Sequence, residues 1–175
     1  MKSNLFTTAI IFMILFTSCA TIPKGVVAIN SFEKEKYLGK WYEIARIDFK
    51  FERNMINTTA EYALNKNGSI TVKNRGFNVK KGKFEEAVGK AKFVGKEDVG
   101  MLKVSFFGPF YGGYNVIALD KDYKYALVCG DHLKYLWILS REKTIPDDVK
   151  QNYLQIASNY GFNTSDLIWV KQDNN

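Results

Sequence analysis

Between residues 41 and 141 the chain shows a series of short, evenly spaced sequence patterns that are typical of β-strands. The runs are rich in aromatic and β-branched residues, and turn residues such as Asn67-Gly68 and Asp120-Lys121-Asp122 separate them. Eight such strands favour an antiparallel up-and-down β-barrel, because closing the sheet removes its free edges. The predicted strands cover residues 41–49, 55–64, 69–77, 83–93, 101–107, 113–119, 125–129 and 135–141.

The pattern changes after the eighth strand. Residues 147–160 place apolar side chains mostly three or four positions apart, which predicts an amphipathic helix between Pro146 and Gly161. A helical turn over residues 33–38 and a last strand over residues 167–170 complete an all-β fold with one C-terminal helix. An eight-stranded barrel encloses room for about one small ligand, so this architecture already suggests a binding function.

The first residues have the layout of a secretory signal. Lys2 precedes an apolar run over residues 9–16, which is shorter than the about 20 residues of a membrane-spanning helix. The segment Leu15-Phe16-Thr17-Ser18-Cys19 resembles the bacterial lipobox, in which the cysteine is acylated, although Phe16 departs from the usual Leu, Val or Ile. We expect a signal peptide over residues 1–18, a lipidated tether over residues 19–31 and a folded domain over residues 32–175. An ordinary signal peptide cut nearby, or an uncleaved anchor, is the alternative.

The two cysteines indicate how the fold is stabilised and where in the cell the protein lies. Lipidation of Cys19 leaves Cys129 without a partner in the chain, so the fold must be stabilised by its core rather than by a disulfide. In lipoproteins of Gram-negative bacteria, Asp after the acylated cysteine usually signals retention in the inner membrane. Ala20 occupies that position here. We therefore expect the protein at the outer membrane, with the barrel facing the periplasm.

The positive charge of the chain is spread rather than concentrated. The formal net charge is +7, and the basic residues are scattered apart from a short cluster at Lys80-Lys81-Gly82-Lys83. No nucleic-acid-binding motif accompanies them. A scattered positive surface suits anionic phospholipid headgroups, and a solvated surface without a partner is the alternative.

Three motifs fall in register with the predicted strands. Gly39-Lys40-Trp41 starts the first strand, Ala118-Leu119-Asp120 ends the sixth, and Leu139-Ser140-Arg141 ends the eighth. With these residues the chain resembles the lipocalin family, and residues 103–120 and 135–141 are similar to its bacterial outer-membrane members. The resemblance implies a membrane-anchored protein that stores or transports fatty acids or lysophospholipids for envelope maintenance. It also implies a homodimer.

The residues of these motifs are expected to stabilise the fold rather than to contact a ligand. Trp41 should close the narrow base of the barrel, and Arg141 can stack its guanidinium on the indole. The donors of Arg141 can also bind carbonyl groups of the N-terminal segment. Gly39 and Asp120 complete this structural signature.

Strand parity selects the side chains that face the interior. If Trp41 and Arg141 point inward, alternate residues on the first and eighth strands do so too, and family analogy adds one face of the sixth. The resulting wall is apolar and aromatic, as in ligand pockets, and a solid core filled by its own side chains is the alternative. The predicted ligand-contacting residues are Ala45, Val104, Phe106, Tyr114, Val116, Trp137 and Leu139.

Two sequence features leave alternatives open. Glu43 falls on the inward face, where a carboxylate either pairs structurally near the barrel base or faces a polar group of the ligand. Residues 108–113 place aromatic side chains between glycines. They form either a turn at one barrel end or part of a subunit interface.

The sequence contains few residues that could form a catalytic site or a metal site. The single histidine, His132, lies in a turn apart from Cys129, and no Gly-x-Ser-x-Gly motif is present. One histidine and one free cysteine are poor material for a metal site. We therefore expect a binding protein without a cofactor, and we keep a structural envelope lipoprotein without a ligand as the alternative.

Overall fold

The computed structural model describes residues 21–173, so Cys19 and the predicted signal peptide lie outside the described residues. A single helical turn precedes the strands, and a longer helix follows them. The elements are α1 (Lys34–Tyr37), β1 (Gly39–Ile47), β2 (Met55–Leu64), β3 (Ile70–Asn78), β4 (Lys83–Phe93), β5 (Met101–Phe107), β6 (Phe110–Leu119), β7 (Tyr125–Cys129), β8 (Leu136–Ser140), α2 (Asp147–Asn159), a 3₁₀ turn (Thr164–Asp166) and β9 (Leu167–Trp169).

Strands β1 to β8 form a closed antiparallel barrel. Each strand pairs with the next, and β1 pairs with both β2 and β8, which closes the sheet. Strand β9 pairs with the far end of β1, beyond the residues that β2 covers. The predicted eight-stranded up-and-down barrel with one C-terminal helix is confirmed.

The connections divide the barrel into two ends. The β1–β2, β3–β4, β5–β6 and β7–β8 connections lie at one end, which we call the mouth. Helix α1 and the remaining connections lie at the other end, which we call the base. Several predicted boundaries shift by one or two residues, and β6 begins at Phe110 rather than residue 113. The turn at the mouth is therefore shorter than residues 108–113, because the aromatic residues belong to paired strands.

Two apolar cores share the barrel wall. Along β7, Ala126 and Val128 belong to the core inside the barrel. Leu127 and Cys129 belong to a second core, between the barrel and helix α2. Tyr153 of α2 packs in this outer core, and its hydroxyl donates to the carbonyl of Tyr125 at 2.8 Å. Helix α2 thus covers one side of the barrel, and strands on that side are apolar on both faces.

Residues 21–32, which we call the N-terminal strap, pack along the barrel wall. The side chains of Pro23, Val26 and Ala28 are buried. The amide of Ile29 donates to the carbonyl of Val116 at 2.9 Å, and the amide of Phe32 donates to the carbonyl of Asp98 at 2.8 Å. From Thr21 onward, the segment expected to be a tether is therefore docked rather than free, because its apolar side chains find a surface on the barrel.

Candidate ligand-binding site

Trp41 and Arg141 close the base of the barrel. Trp41 is fully buried, and the guanidinium carbon of Arg141 lies 3.9 Å from the centroid of its indole. The indole Nε1 donates to the carbonyl of Tyr37 at 2.8 Å. Arg141 Nη1 donates to the carbonyl of Lys40 at 2.8 Å, and Nη2 donates to that of Leu38 at 2.9 Å. These bonds fasten α1 and the start of β1 to the end of β8, as expected from the motifs.

The two remaining signature residues also have structural contacts at the base. Gly39 has a φ of 90°, and a Cβ there would lie 3.4 Å from Arg141 Nη1, so glycine suits this position. The carboxylate of Asp120 accepts hydrogen bonds from the amides of Lys124 and Tyr125, each at 2.6 Å. Asp120 therefore holds the β6–β7 turn, and the ligand-binding features must be sought above this layer.

Three tyrosines form the floor of the interior. The hydroxyl of Tyr114 lies 2.7 Å from that of Tyr37 and 2.7 Å from that of Tyr62. Burial raises the pKa of all three side chains above the ordinary range, so the hydroxyls stay neutral. Tyr114, predicted to contact the ligand, therefore faces the interior as part of a hydrogen-bonded floor.

The wall above this floor becomes more accessible toward the mouth. Val116 and Leu139 are buried in the inner core, with exposed fractions of 0% and 4%. Val104, Phe106 and Trp137 pack against the same core but are only half-buried. The inner wall is therefore buried at the base and more accessible toward the mouth, and we call this interior the cup.

Ala45 does not lie on the inner wall of the barrel, where the sequence predicted it. A β-bulge between Glu43 and Ala45 shifts the pairing of β1 with β8, and Ala45 packs in the outer core against α2. The extra residue reverses the alternation of side chains beyond it. The prediction that Ala45 faces the ligand is wrong for this reason. A second shift, in the β6–β7 pairing, similarly places Ala118 against the outer core.

The bulge places Arg46 in a buried ion pair with Glu43. Arg46 Nη1 lies 2.8 Å from Glu43 Oε1, and both side chains are almost fully buried. Arg46 Nη2 donates to the carbonyls of Glu52 and Met55, at 2.7 and 3.2 Å. Glu43 is thus paired structurally, although nearer the middle of β1 than the base. Within residues 21–173, Arg46 Nε has no hydrogen-bond acceptor, which leaves one buried donor free.

A second carboxyl joins this cluster at the mouth. Glu52 Oε2 accepts a hydrogen bond from the indole Nε1 of Trp137 at 3.0 Å, which fixes the ring on the cup wall. Burial raises the pKa of Glu52, and burial together with the nearby Glu52 raises the pKa of Glu43 to about 8. Since two carboxyls share one guanidinium, the cluster retains a proton at neutral pH.

Within residues 21–173, the cysteine and the histidine lie outside the cup. Cys129 is fully buried in the outer core, and burial raises the pKa of its thiol to about 12. His132 is exposed on the β7–β8 connection. Among residues 21–173, no group of His, Cys, Asp and Glu side chains is placed to hold a metal ion. No helix in that range is long and apolar enough to cross a membrane.

Comparison with known proteins assigns the family. The model of the lipocalin-like domain matches residues 32–172. The chain is 53% identical over 161 residues to the outer membrane lipoprotein Blc of Citrobacter freundii, covering 92% of this chain and 91% of that protein. The chain belongs to the lipocalin family. This lipocalin is accordingly a binding protein rather than an enzyme.

More distant relatives support the same assignment. The outer membrane lipoprotein Blc of Vibrio cholerae is 46% identical, with 91% of this chain and 94% of that protein covered. Temperature-induced lipocalin-1 of Arabidopsis thaliana is 34% identical, with 84% and 83% covered. Among solved structures, insecticyanin of the tobacco hornworm Manduca sexta superposes with a TM-score of 0.71 at 23% identity, covering 85% of each chain. At that identity the likeness concerns the fold alone.

Proposed function

We propose that this lipocalin binds a fatty acid or a lysophospholipid in its cup while an acyl group on Cys19 anchors it to the bacterial outer membrane. Held there, it stores or transports such lipids for maintenance of the envelope. The predicted signal peptide over residues 1–18 and the homodimer remain part of this proposal. A structural lipoprotein with a filled barrel is the competing account.

The observation that carries the proposal is the accessibility of the inner wall. Val104, Phe106 and Trp137 face the barrel interior, yet they are only half-buried. Apolar side chains that face inward and remain accessible give an acyl chain a surface on which to leave water. A barrel filled by its own side chains would bury these three residues as fully as it buries Val116.

The polar groups of the cup favour a lipid with a single polar end. The largest polar groups there are the tyrosines of the floor and the cluster of Glu43, Arg46 and Glu52. The free Nε donor of Arg46 offers a hydrogen bond to a carboxylate or phosphate oxygen that enters from the mouth. An acyl chain along the wall with its headgroup toward the mouth matches this distribution.

The anchor rests on the sequence before Thr21 and on the relatives. The lipobox-like segment ends at Cys19, and the relatives from Citrobacter freundii and Vibrio cholerae are named outer membrane lipoproteins. Attached acyl chains each contribute about 0.8 kcal/mol per buried CH₂, and two or more chains give a stable attachment.

Native mass spectrometry tests the binding. A chain that begins at Ala20 keeps every contact described for residues 21–173, and it is incubated with palmitate or with lysophosphatidylethanolamine after removal of bound lipid. We expect a one-to-one complex with at least one of the two lipids. If neither lipid binds at micromolar concentration, the barrel is filled and the proposal fails.

Fractionation of cells tests the anchor separately. The wild-type protein should sediment with the outer membrane, whereas Cys19→Ala should not. Cys129→Ala is the matched control, because it removes the other cysteine without touching the acylation site. A Cys19→Ala protein that still sediments with the outer membrane would show that Cys19 is not the anchor.

A further inference from the structure

The N-terminal strap begins at the mouth of the barrel. The carbonyl of Thr21 accepts a hydrogen bond from Asn115 Nδ2 at 2.7 Å. A Cβ added to Gly113 would lie 2.0 Å from that carbonyl oxygen and 3.1 Å from the amide nitrogen of Asp131. Thr21 is therefore seated on the backbone of β6, beside the β7–β8 connection at the mouth.

From this point the strap runs toward the base and is bound along its length. The amide of Gly100 donates to the carbonyl of Ile29 at 2.9 Å, and Asn30 pairs with Val99 on the base-end connection between β4 and β5. One residue, Ala20, separates the docked Thr21 from Cys19. Two residues of extended chain span at most about 7 Å, which limits how far an anchor at position 19 can be from the docked Thr21.

The mouth exposes large apolar side chains. The exposed fractions are 64% for Phe51 on the β1–β2 connection, 71% for Phe107 at the end of β5 and 78% for Phe110 at the start of β6. Val79 and Phe84 flank the β3–β4 connection and are also exposed. Among the described residues at the base, Leu64 is the exposed large apolar side chain. Aromatic rings on one rim of a barrel are suited to the interface between lipid and water.

Basic residues accompany these rings. Lys80 and Lys81 lie on the β3–β4 connection and Lys83 begins β4, and the carboxylate of Glu85 forms an ion pair with Lys81. Lys50 and Arg53 lie on the β1–β2 connection together with Asp48, which pairs with Arg53, and Glu52. On the β7–β8 connection, the positive charge of Lys134 is balanced by the negative charge of Asp131. The rim keeps an excess of positive charge, which complements anionic phospholipid headgroups.

We propose that the docked strap holds the barrel with its mouth against the membrane, so that the aromatic and basic rim rests on an anionic phospholipid bilayer and the cup opens onto the lipid surface. This inference rests on the proposed acylation of Cys19. A free tether of a dozen residues would let the barrel turn in any direction. The docked strap leaves too short a link for that, and the rim supplies a second attachment at the same end.

Depth-dependent fluorescence quenching tests the orientation. The full-length acylated protein is reconstituted into vesicles of phosphatidylethanolamine and phosphatidylglycerol, and flotation selects the anchored molecules. A single reporter cysteine carries an environment-sensitive dye, at the mouth in Phe110→Cys or at the base in Lys66→Cys, which are both exposed positions. Cys129 is fully buried and does not compete for the dye.

We expect lipids with a spin label below the headgroup to quench the dye at position 110 several-fold more than the dye at position 66. Equal quenching, or stronger quenching at position 66, would overturn the orientation. A dye at position 110 that is shielded from water but not quenched by lipid would indicate a second copy of the chain on the rim, and it would overturn the proposal too. Protein that fails to float contradicts the anchor, and thus the proposed function, rather than the orientation.

A pair of neighbouring glycines tests the role of the strap. Gly113→Ala places a methyl group against the carbonyl of Thr21 and should release the strap, whereas a Cβ at Gly112 meets nothing within 4 Å. We expect Gly113→Ala to float as the wild type does but to lose most of the difference in quenching between positions 110 and 66. Gly112→Ala should keep that difference. If Gly113→Ala keeps it as well, the strap does not orient the barrel and the proposal fails.

Discussion

The base and the mouth of this barrel are built on opposite principles. At the base, Trp41 is fully buried under Arg141, whose guanidinium binds several backbone carbonyls. At the mouth, Phe107 and Phe110 are exposed, and Trp137 is half-buried beside a charged cluster. The base satisfies its polar groups within the chain, whereas the mouth leaves apolar surface and a buried donor for another molecule to cover.

This difference indicates that the family motifs stabilise the fold, whereas the proposed binding function depends on other residues. The signature residues Gly39, Trp41, Asp120 and Arg141 all lie at the base, where Trp41 and Arg141 connect elements that are distant in sequence and Asp120 holds a turn. The proposed ligand and membrane contacts all lie nearer the mouth. Substitutions at the base should therefore reduce stability, and substitutions of exposed or half-buried residues at the mouth should reduce binding.

Trp41→Ala should give the largest loss of stability. Removing a fully buried indole leaves a cavity and strips Arg141 of its stacking partner, which costs about 3–5 kcal/mol of the free energy of unfolding. Urea denaturation of the two proteins measures the difference. Phe110→Ala at the mouth is the matched aromatic control and should change the value by less than about 0.5 kcal/mol. A similar loss in both variants would erase the contrast between the two ends.

Arg46→Met should be the most destabilising substitution near the mouth. It leaves the carboxyls of Glu43 and Glu52 without their buried counterion, at a cost of about 3 kcal/mol in the free energy of unfolding. Arg53→Met removes an exposed ion pair with Asp48 and should cost less than about 1 kcal/mol. Equal effects in urea denaturation would show that burial of the Arg46 pair has no consequence for stability.

Glu43→Gln should change the dependence of stability on pH. The pKa of Glu43 is raised from 4.5 to about 8, so the folded protein holds a proton that the unfolded chain releases. Its stabilising contribution is complete below about pH 4.5 and is lost as the pH rises through about 8. The free energy of unfolding of the wild type should fall across this window, with a slope approaching about 1.4 kcal/mol per pH unit.

The glutamine variant should largely lose that slope, because its amide stays neutral. Urea titrations between about pH 5 and pH 8 measure the slope for both proteins. Glu61→Gln, at an exposed position on β2, serves as the control and should keep the slope of the wild type. An unchanged slope in Glu43→Gln would assign the proton to another group.

The sequence predicts the barrel well because turn residues mark the ends of its strands. The bounds of β2, β4, β5 and β7 agree residue for residue with the expected ones. Within β1, alternation from Trp41 to Glu43 is also kept. Local pattern suffices in these places, since the period of two and the turn residues act over only a few positions.

The sequence does not reveal features that depend on distant packing. The bulge beyond Glu43 is set by the pairing of β1 with β8, and it exchanges the faces of Ala45 and Arg46. The docking of the strap depends on the bare backbone of Gly113, far along the chain. The hydrogen bond between Glu52 and Trp137 joins the β1–β2 connection to strand β8, which lies far along the chain. No short sequence motif predicts such contacts, so the charged cluster and the position of the strap are seen only in the folded structure.

Displacement of a fluorescent fatty acid compares the cup with the outer surface most directly. Trp137 lines the cup, whereas Trp169 lies on β9 outside the barrel, where the ammonium of Lys150 covers its ring at 4.2 Å. Trp137→Ala should weaken binding about tenfold, equivalent to about 1.4 kcal/mol, and Trp169→Ala should leave the affinity unchanged. Equal affinities of the wild type and Trp137→Ala would contradict a lipid site between the tyrosine floor and the mouth.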